Sequence, residues 1–252
     1  MLFQRTFSKS LCLVALFYLG SCESPKTEST QHNHNYSDTN YVIQPSFGSD
    51  DSLNQILEVY RKEKDLKMNK VLSKTKRGLT KKRPQSALTN LMADVCLEES
   101  RKQTEQIIDF SLVNFGGIRS SVPKGEVTLE DVYKLMPFDN TLCILEIHKD
   151  SVQSMAEYIV RRGGEPISGI QLTVKKEVLE HVLINNKPLD TKESYWLATS
   201  DYLANGGDRM SFLSNPISRI NFNLKVRDAL IQSFERQDEL NPSSEKRIIY
   251  VN

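Results

Sequence analysis

Asn114-Phe115-Gly116-Gly117-Ile118-Arg119 closes the alternating run Ile107-Ile108-Asp109-Phe110-Ser111-Leu112-Val113. The run has the period-two pattern of a strand, and two consecutive glycines turn the chain at its end. A strand that turns through Gly116 and Gly117 exposes backbone N–H groups and lets Arg119 return toward the same mouth, a layout suited to a phosphate or a base edge. Taken alone, the segment also reads as a tight turn with a surface arginine. Two further stretches change that balance. Met136-Pro137-Phe138 places an aromatic ring after a helix-ending proline, and Asp201-Tyr202-Leu203-Ala204-Asn205-Gly206-Gly207-Asp208 places another in a glycine-rich loop. Neither Phe138 nor Tyr202 belongs to an apolar periodicity that would assign it to a core, so both read as loop aromatics. Rings on the two faces of a nucleobase form a stacking clamp, with about 1–3 kcal/mol per stacked base. The Asp208 carboxylate can accept hydrogen bonds from vicinal hydroxyls, which makes it a natural reader of ribose. Asp201 and Asn205 are expected to hold the loop through local side-chain to backbone bonds.

Working outward, Leu53, Ile56, Leu57 and Tyr60 recur at helical spacing within Ser52 to Leu72, and Leu88, Leu91, Met92 and Val95 repeat the pattern in a second helix with Asn90 and Asp94 on one side. Thr128 with Asp131 forms a capping box for a helix that must stop before Pro137. Thr141 to His148 alternates as a strand, and Ser151 to Val160 is helical. A strand near Ile170 to Val174 follows Gly163-Gly164, a hairpin spans Val182 to Leu189 around Asn185-Asn186, and Tyr195 to Ser200 is a strand. Val226 to Phe234 is a helix and Ile248 to Val251 a closing strand. This mixed order predicts an α+β fold with a mixed sheet and helices.

The three segments together resemble the C-terminal domain of the 5'-nucleotidase family, where an Asn-x-Gly-Gly-Ile-Arg segment, a Pro-Phe pair and a Tyr/Phe-Leu-Ala-x-Gly-Gly-Asp segment build the nucleotide pocket. The likeness runs from about Arg83 to the C-terminus. It implies nucleotide contacts for Asn114, Gly116, Gly117 and Arg119, a base clamp of Phe138 and Tyr202, and ribose recognition by Gly207-Asp208. Phenylalanine is common in the family where this chain has Tyr202, so the ring face is kept and a hydroxyl is added. The family's phosphate-reaching arginine corresponds to Arg83, with loose spacing and Thr89 in place of the usual glycine before Asn90; Lys82 could take its place.

In the family a metallophosphatase domain lies N-terminal to this one, and the stretch before Arg83 is expected to leave no room for it. Dinuclear phosphoesterases gather Asp, His and Asn ligands around two metals. Outside residues 1–50 the only histidines are His148 and His181, neither in a ligand cluster, and no nucleophile elbow or phosphate-binding glycine loop is present. No catalytic residue and no resident cofactor is therefore expected; divalent metals belong to a separate metallophosphatase chain. The expected role is the nucleotide- or nucleoside-binding half of a 5'-nucleotidase-type hydrolase. The alternatives are a scavenging protein that binds nucleosides without catalysis, and a degenerate domain used for protein contacts.

At the N-terminus, Arg5 and Lys9 precede an apolar run from Leu11 to Leu19 that is too short to span a bilayer as a mature helix. It ends in Leu19-Gly20-Ser21-Cys22, which resembles the bacterial lipobox; an ordinary secretory signal ending near a cysteine is the alternative. The expectation is a signal peptide over 1–21, lipid on Cys22, a tether over 22–50 too polar to fold, and one domain over 51–252, held at the bacterial cell envelope on the periplasmic or outer-surface side. His32 and His34 lack fixed partners and read as solvated tail. A net charge of +1 on 252 residues argues against binding a nucleic-acid polymer. The local cluster Lys74, Lys76, Arg77, Lys81, Lys82 and Arg83 reads as a solvated loop or as a phosphate-attracting rim. Cys96 and Cys143 sit in apolar patterns as core residues.

Overall fold

The strand Thr141–His148 organises the domain, because its alternating side chains enter two different cores. Leu142 and Ile144 join one cluster, whereas Cys143, Leu145 and Ile147 join the other. A strand buried on both faces must be covered twice, and helices and a second sheet provide that cover.

The computed structural model describes residues 51–251. The expected signal peptide, lipid-bearing Cys22 and tether, with His32 and His34, lie outside them. In chain order the elements are α1 (Asp51–Met68), β1 (Val71–Thr75), α2 (Ala87–Arg101), β2 (Phe110–Leu112), β3 (Gly125–Thr128), α3 (Leu129–Leu135), β4 (Thr141–His148), α4 (Lys149–Arg161), β5 (Ile167–Ser168), β6 (Ile170–Lys175), β7 (Val178–Ile184), β8 (Lys187–Pro188), β9 (Ser194–Ser200), α5 (Asp201–Ala204), β10 (Ser218–Lys225), α6 (Val226–Glu235) and β11 (Ile248–Val251). The central sheet has the order β10-β4-β9-β2-β5, a second sheet β11-β6-β7-β8, and β1 pairs with β3. The central sheet is mixed, since β2 and β9 run parallel while the other neighbours are antiparallel. The fold is α+β.

On one face, Leu88, Met92 and Val95 of α2 and Leu230 and Phe234 of α6 pack over Ile144 and Ala198. On the other, Val152, Met155 and Ile159 of α4 join Leu172, Val174 and Ile184 of the second sheet against Leu145 and Leu197. Each such side chain contributes about 1.5–3 kcal/mol when fully buried. Cys96 and Cys143 are free thiols belonging to opposite cores. Burial pushes the Cys143 thiol up to about 12 and that of Cys96 upward as well, so neither supplies thiolate near neutral pH.

The expected capping box is present: Thr128 N donates to Asp131 Oδ2 at 2.8 Å and Asp131 N to Thr128 Oγ1 at 3.3 Å. Asn90 and Asp94 face one segment, where Asn90 Nδ2 donates to the carbonyls of Ser243 and Glu245 and Asp94 pairs with Arg247. The helix expected from Ser52 to Leu72 ends at Met68, because Val71–Thr75 is taken by pairing with β3. None of the α1 side chains is buried. The hairpin around Asn185-Asn186 has both residues left-handed, at φ 48° and 63°. A second hairpin, between β6 and β7, turns through Lys176 and Glu177 at φ 47° and 64°. Lysine and glutamate carry no turn signal, and sequence reading missed it.

Topology also sets where loops meet. Parallel β2 and β9 deliver their C-terminal ends to the same edge of the sheet, and antiparallel β4 begins there, with Leu142 opposite Ser200. The chain leaving β2, the chain leaving β9 and the chain entering β4 therefore converge. These are the three segments singled out above.

Candidate functional site

At that edge lies a cavity of about 310 Å³ lined by Asn114, Gly116, Gly117, Arg119, Phe138, Asn140, Tyr202 and Asp208. All but Asn140 are residues that sequence reading named. Asn140 sits just before β4, two residues past Phe138, and an isolated polar residue at a strand entry carries no periodic or motif signal of its own.

The wall after β2 is a 3-10 turn, Phe115–Gly117. Asn114 donates from Nδ2 to Asp208 Oδ2 at 2.8 Å, tying the first segment to the third. A Cβ on Gly117 would stand 2.6 Å from Asn114 Oδ1, so a side chain there would displace the Asn114 amide from its place. The turn is held from behind by groups that sequence reading gave other roles or missed. Glu165 is almost fully buried and accepts the Phe115 N–H on Oε2 at 2.6 Å, while its Oε1 pairs with Arg83 at 3.1 Å. Lys81 donates to the carbonyls of Ile118 at 2.5 Å and Phe115 at 3.3 Å. The Lys81 ammonium and the Arg83 guanidinium lie 4.6 and 4.3 Å from the Phe115 ring centroid, in cation–π range.

Arg83 thus braces the turn and donates to the carbonyls of Arg162 and Gly164; it does not line the cavity. Lys81 and Arg83 of the basic cluster are used for this bracing, while Lys76 pairs with Glu239. Desolvation, and then the charges of Arg119 and Arg83, lower the Lys81 pKa, while the Glu165 carboxylate opposes the shift.

The wall before β4 carries Phe138, with 40% of its surface exposed. Arg227, at the start of α6, fixes its backbone by donating to the carbonyls of Met136 and Phe138 at 3.4 and 3.3 Å and by pairing with Asp139. Hydrogen bonds from Arg227 and then Lys225 hold the Asp139 carboxyl below its ordinary range. No spacing rule pointed to Arg227, because its partners lie about 90 residues away in the chain.

In the third segment Asp201 accepts the neighbouring Tyr202 N–H at 2.7 Å, a local bond of the kind expected of it, and also the N–H of the distant Thr141 at 3.1 Å, which ties the loop to the start of β4. Asn205 instead accepts from the Arg219 side chain at 2.7 Å. Gly207 lies under the Tyr202 ring rather than in the cavity lining: a Cβ there would come within 2.6 Å of Cε1 and Cζ. Tyr202, 41% exposed, therefore rests its ring on a glycine floor and presents the rest to the cavity. Two half-exposed aromatic rings, a carboxylate, two amides and an arginine around one opening can stack a planar heterocycle, read a diol and attract an anion.

The sequence profile of the family described as 5'-nucleotidase, C-terminal domain, matches residues 70–215, more than half of the chain. The chain belongs to this family. Relatives of the family domain include Protein UshA of Yersinia enterocolitica, 28% identical over 140 residues that make up 54% of this chain and 26% of that protein. The 5'-nucleotidase of Vibrio vulnificus is 24% identical over 208 residues, 79% of this chain and 36% of its own. Among solved structures, a 5'-nucleotidase precursor from Thermus thermophilus superposes with a TM-score of 0.70 at 23% identity, over 79% of this chain and 43% of that one. The chain spans less than half the length of each of these proteins. Among the described residues no group of three or more His, Cys, Asp or Glu side chains is placed to hold a metal ion, and no helix is long and apolar enough to cross a membrane.

Proposed function

We propose that this domain binds the nucleoside part of a nucleotide for a 5'-nucleotidase-type hydrolase in nucleotide catabolism, with the metal centre supplied by a separate metallophosphatase chain. The observation that carries the reading is the convergence of three distant segments on one cavity that holds Phe138, Tyr202, Asp208 and Arg119 together. In this reading Phe138 and Tyr202 stack the base, Asp208 accepts from the ribose hydroxyls, and Arg119, Asn114 and Asn140 orient the remainder. Two aromatic rings, a carboxylate and an arginine around one opening support a nucleoside ligand, and the two metals are assigned to the separate chain.

Calorimetric titration of the mature chain with adenosine 5'-monophosphate tests it. Tyr202→Ala should weaken binding by about 1–3 kcal/mol, the scale of one lost stacking face. Asp208→Ala should harm the ribonucleotide far more than its 2',3'-dideoxy analogue, because only the former has hydroxyls to lose. Absence of nucleotide binding by the wild-type chain would overturn the reading in favour of a protein-contact domain.

We further propose that Cys22 carries lipid and holds the domain at the bacterial cell envelope. Each buried methylene of an acyl chain contributes about 0.8 kcal/mol, so a multiply acylated cysteine anchors firmly. Cys22→Ala should block lipidation and the associated cleavage, leaving an unprocessed chain that mass spectrometry reads as heavier by residues 1–21 and lighter by the lipid. Wild-type protein recovered free of membrane, without detergent or proteolysis, counts against the anchor.

A further inference from the structure

Asp208 sits at φ 52° and ψ 24°, and Arg209 follows at φ 65°. Two successive non-glycine residues in the left-handed region cost roughly 1–2 kcal/mol each, and such backbone persists only where its surroundings hold it. The surroundings here are two tyrosine hydroxyls from different elements. Tyr158 of α4 donates to the Asp208 carbonyl at 2.7 Å. The Tyr202 hydroxyl does two things at once: it accepts the Asp208 N–H at 3.1 Å and donates to Asp208 Oδ1 at 2.9 Å. With Asn114 on Oδ2 at 2.8 Å, the backbone N–H, the carbonyl and both carboxylate oxygens of Asp208 are all engaged.

This leaves a particular remainder. An ionised carboxylate has about four lone-pair sites, two on each oxygen. Tyr202 takes one on Oδ1 and Asn114 takes one on Oδ2, so one acceptor site is left on each oxygen, in a residue that lines the cavity. Two adjacent acceptors on one planar group match the two donors of a cis-diol. A carboxylate free to rotate would offer the same acceptors in many orientations, and ordering it would cost part of the binding free energy.

We propose that the hydroxyls of Tyr202 and Tyr158 form a latch that pre-orients Asp208 and makes the site selective for ribonucleosides over deoxyribonucleosides; this rests on the nucleoside-binding reading above. Tyr202 is then more than a stacking face. Its ring is seated by Gly207, where a Cβ would meet Cε1 and Cζ at 2.6 Å, while its hydroxyl is seated by Asp208, so base stacking and sugar reading meet in one side chain. Phenylalanine in its place would keep the first function and lose the second. Tyr158 is a positioning residue acting through the Asp208 carbonyl. Its own ring is fixed against Phe212, with centroids 5.6 Å apart, and burial raises its pKa, which keeps the donor proton in place at neutral pH.

The test uses Tyr202→Phe and Tyr158→Phe in the mature chain, with adenosine 5'-monophosphate and its 2',3'-dideoxy analogue as probes in calorimetric titration. Tyr202→Phe should weaken the ribonucleotide by about tenfold, the scale of one hydrogen bond to a charged group, and leave the dideoxy compound within about twofold. Tyr158→Phe should give the same ribose-selective pattern at smaller size. A merely structural role for either hydroxyl would lower both ligands together, and that outcome, or no loss for either, overturns the latch while the nucleoside reading stands. Failure of the wild-type chain to bind adenosine 5'-monophosphate overturns both.

Discussion

Purified alone and supplied with Mn²⁺ or Zn²⁺, the mature chain is expected to bind adenosine 5'-monophosphate and to release no measurable phosphate from it. Orienting a substrate lowers no chemical barrier unless a nucleophile and charge stabilisation are supplied at the reacting centre. Among the described residues the histidines are His148 and His181, both exposed and on different strands, and no cluster of ligands surrounds either. Addition of a metallophosphatase chain should produce turnover. In that mixture Arg119→Ala should reduce kcat/KM for the nucleotide by about 10–100-fold, as expected for losing a charge-assisted contact. A small artificial phosphate ester should be hydrolysed nearly as before, because it needs the metals and not the positioning. Phosphate release assays on both substrates decide the matter. Metal-dependent hydrolysis by the highly purified single chain, abolished by a substitution within it, would sink the divided-enzyme proposal; nucleotide binding with no response to any phosphatase would favour a scavenging protein.

The second large effect concerns Glu165, which touches nothing in the cavity yet holds one of its walls. Its carboxylate accepts the Phe115 N–H at 2.6 Å and pairs with Arg83 at 3.1 Å, and its side chain is only 2% exposed. Glu165→Ala leaves the Phe115 N–H without its acceptor and removes the partner of a guanidinium. Breaking a buried pair by deleting one member costs about 3–5 kcal/mol, and because Arg83 remains 29% exposed the lower end applies. Glu165→Gln retains an acceptor for Phe115 and should cost roughly half as much, about 1–2 kcal/mol. Urea unfolding checks this: the midpoint should fall with little change in slope. A shift of less than about 1 kcal/mol for the alanine variant would show that the turn is held by Lys81 and the Phe115 packing instead.

These two expectations differ in how far they could be read from the chain itself. Asn114, Arg119, Phe138, Tyr202 and Asp208 could be named in advance because each stands beside or near glycine or proline, where short-range rules bend the backbone and leave no period to place the side chain in a core. The helices α2, α4 and α6 and the strand β4 were legible for the complementary reason, since their apolar positions repeat at 3.6 or 2 residues. The weakly patterned pieces were not. β1, β3 and β10 owe their existence to long-range pairing, and the Lys176-Glu177 turn is imposed by the strands it joins rather than by its own residues.

What the sequence by itself determined was the inventory: α+β elements, loop aromatics, a carboxylate after two glycines, and the family resemblance they carry. Only the tertiary structure decided how those groups meet. The parallel pairing of β2 with β9, and the antiparallel entry of β4 beside them, bring segments up to about 90 residues apart to one edge. It also decided that Arg83 braces the wall, that Glu165 and Arg227 are supports, and that the Tyr202 hydroxyl is engaged by Asp208. Hydrogen bonds between residues distant in sequence have no local signature, because the free energy that selects them comes from burial and pairing that exist only once the chain has closed around them.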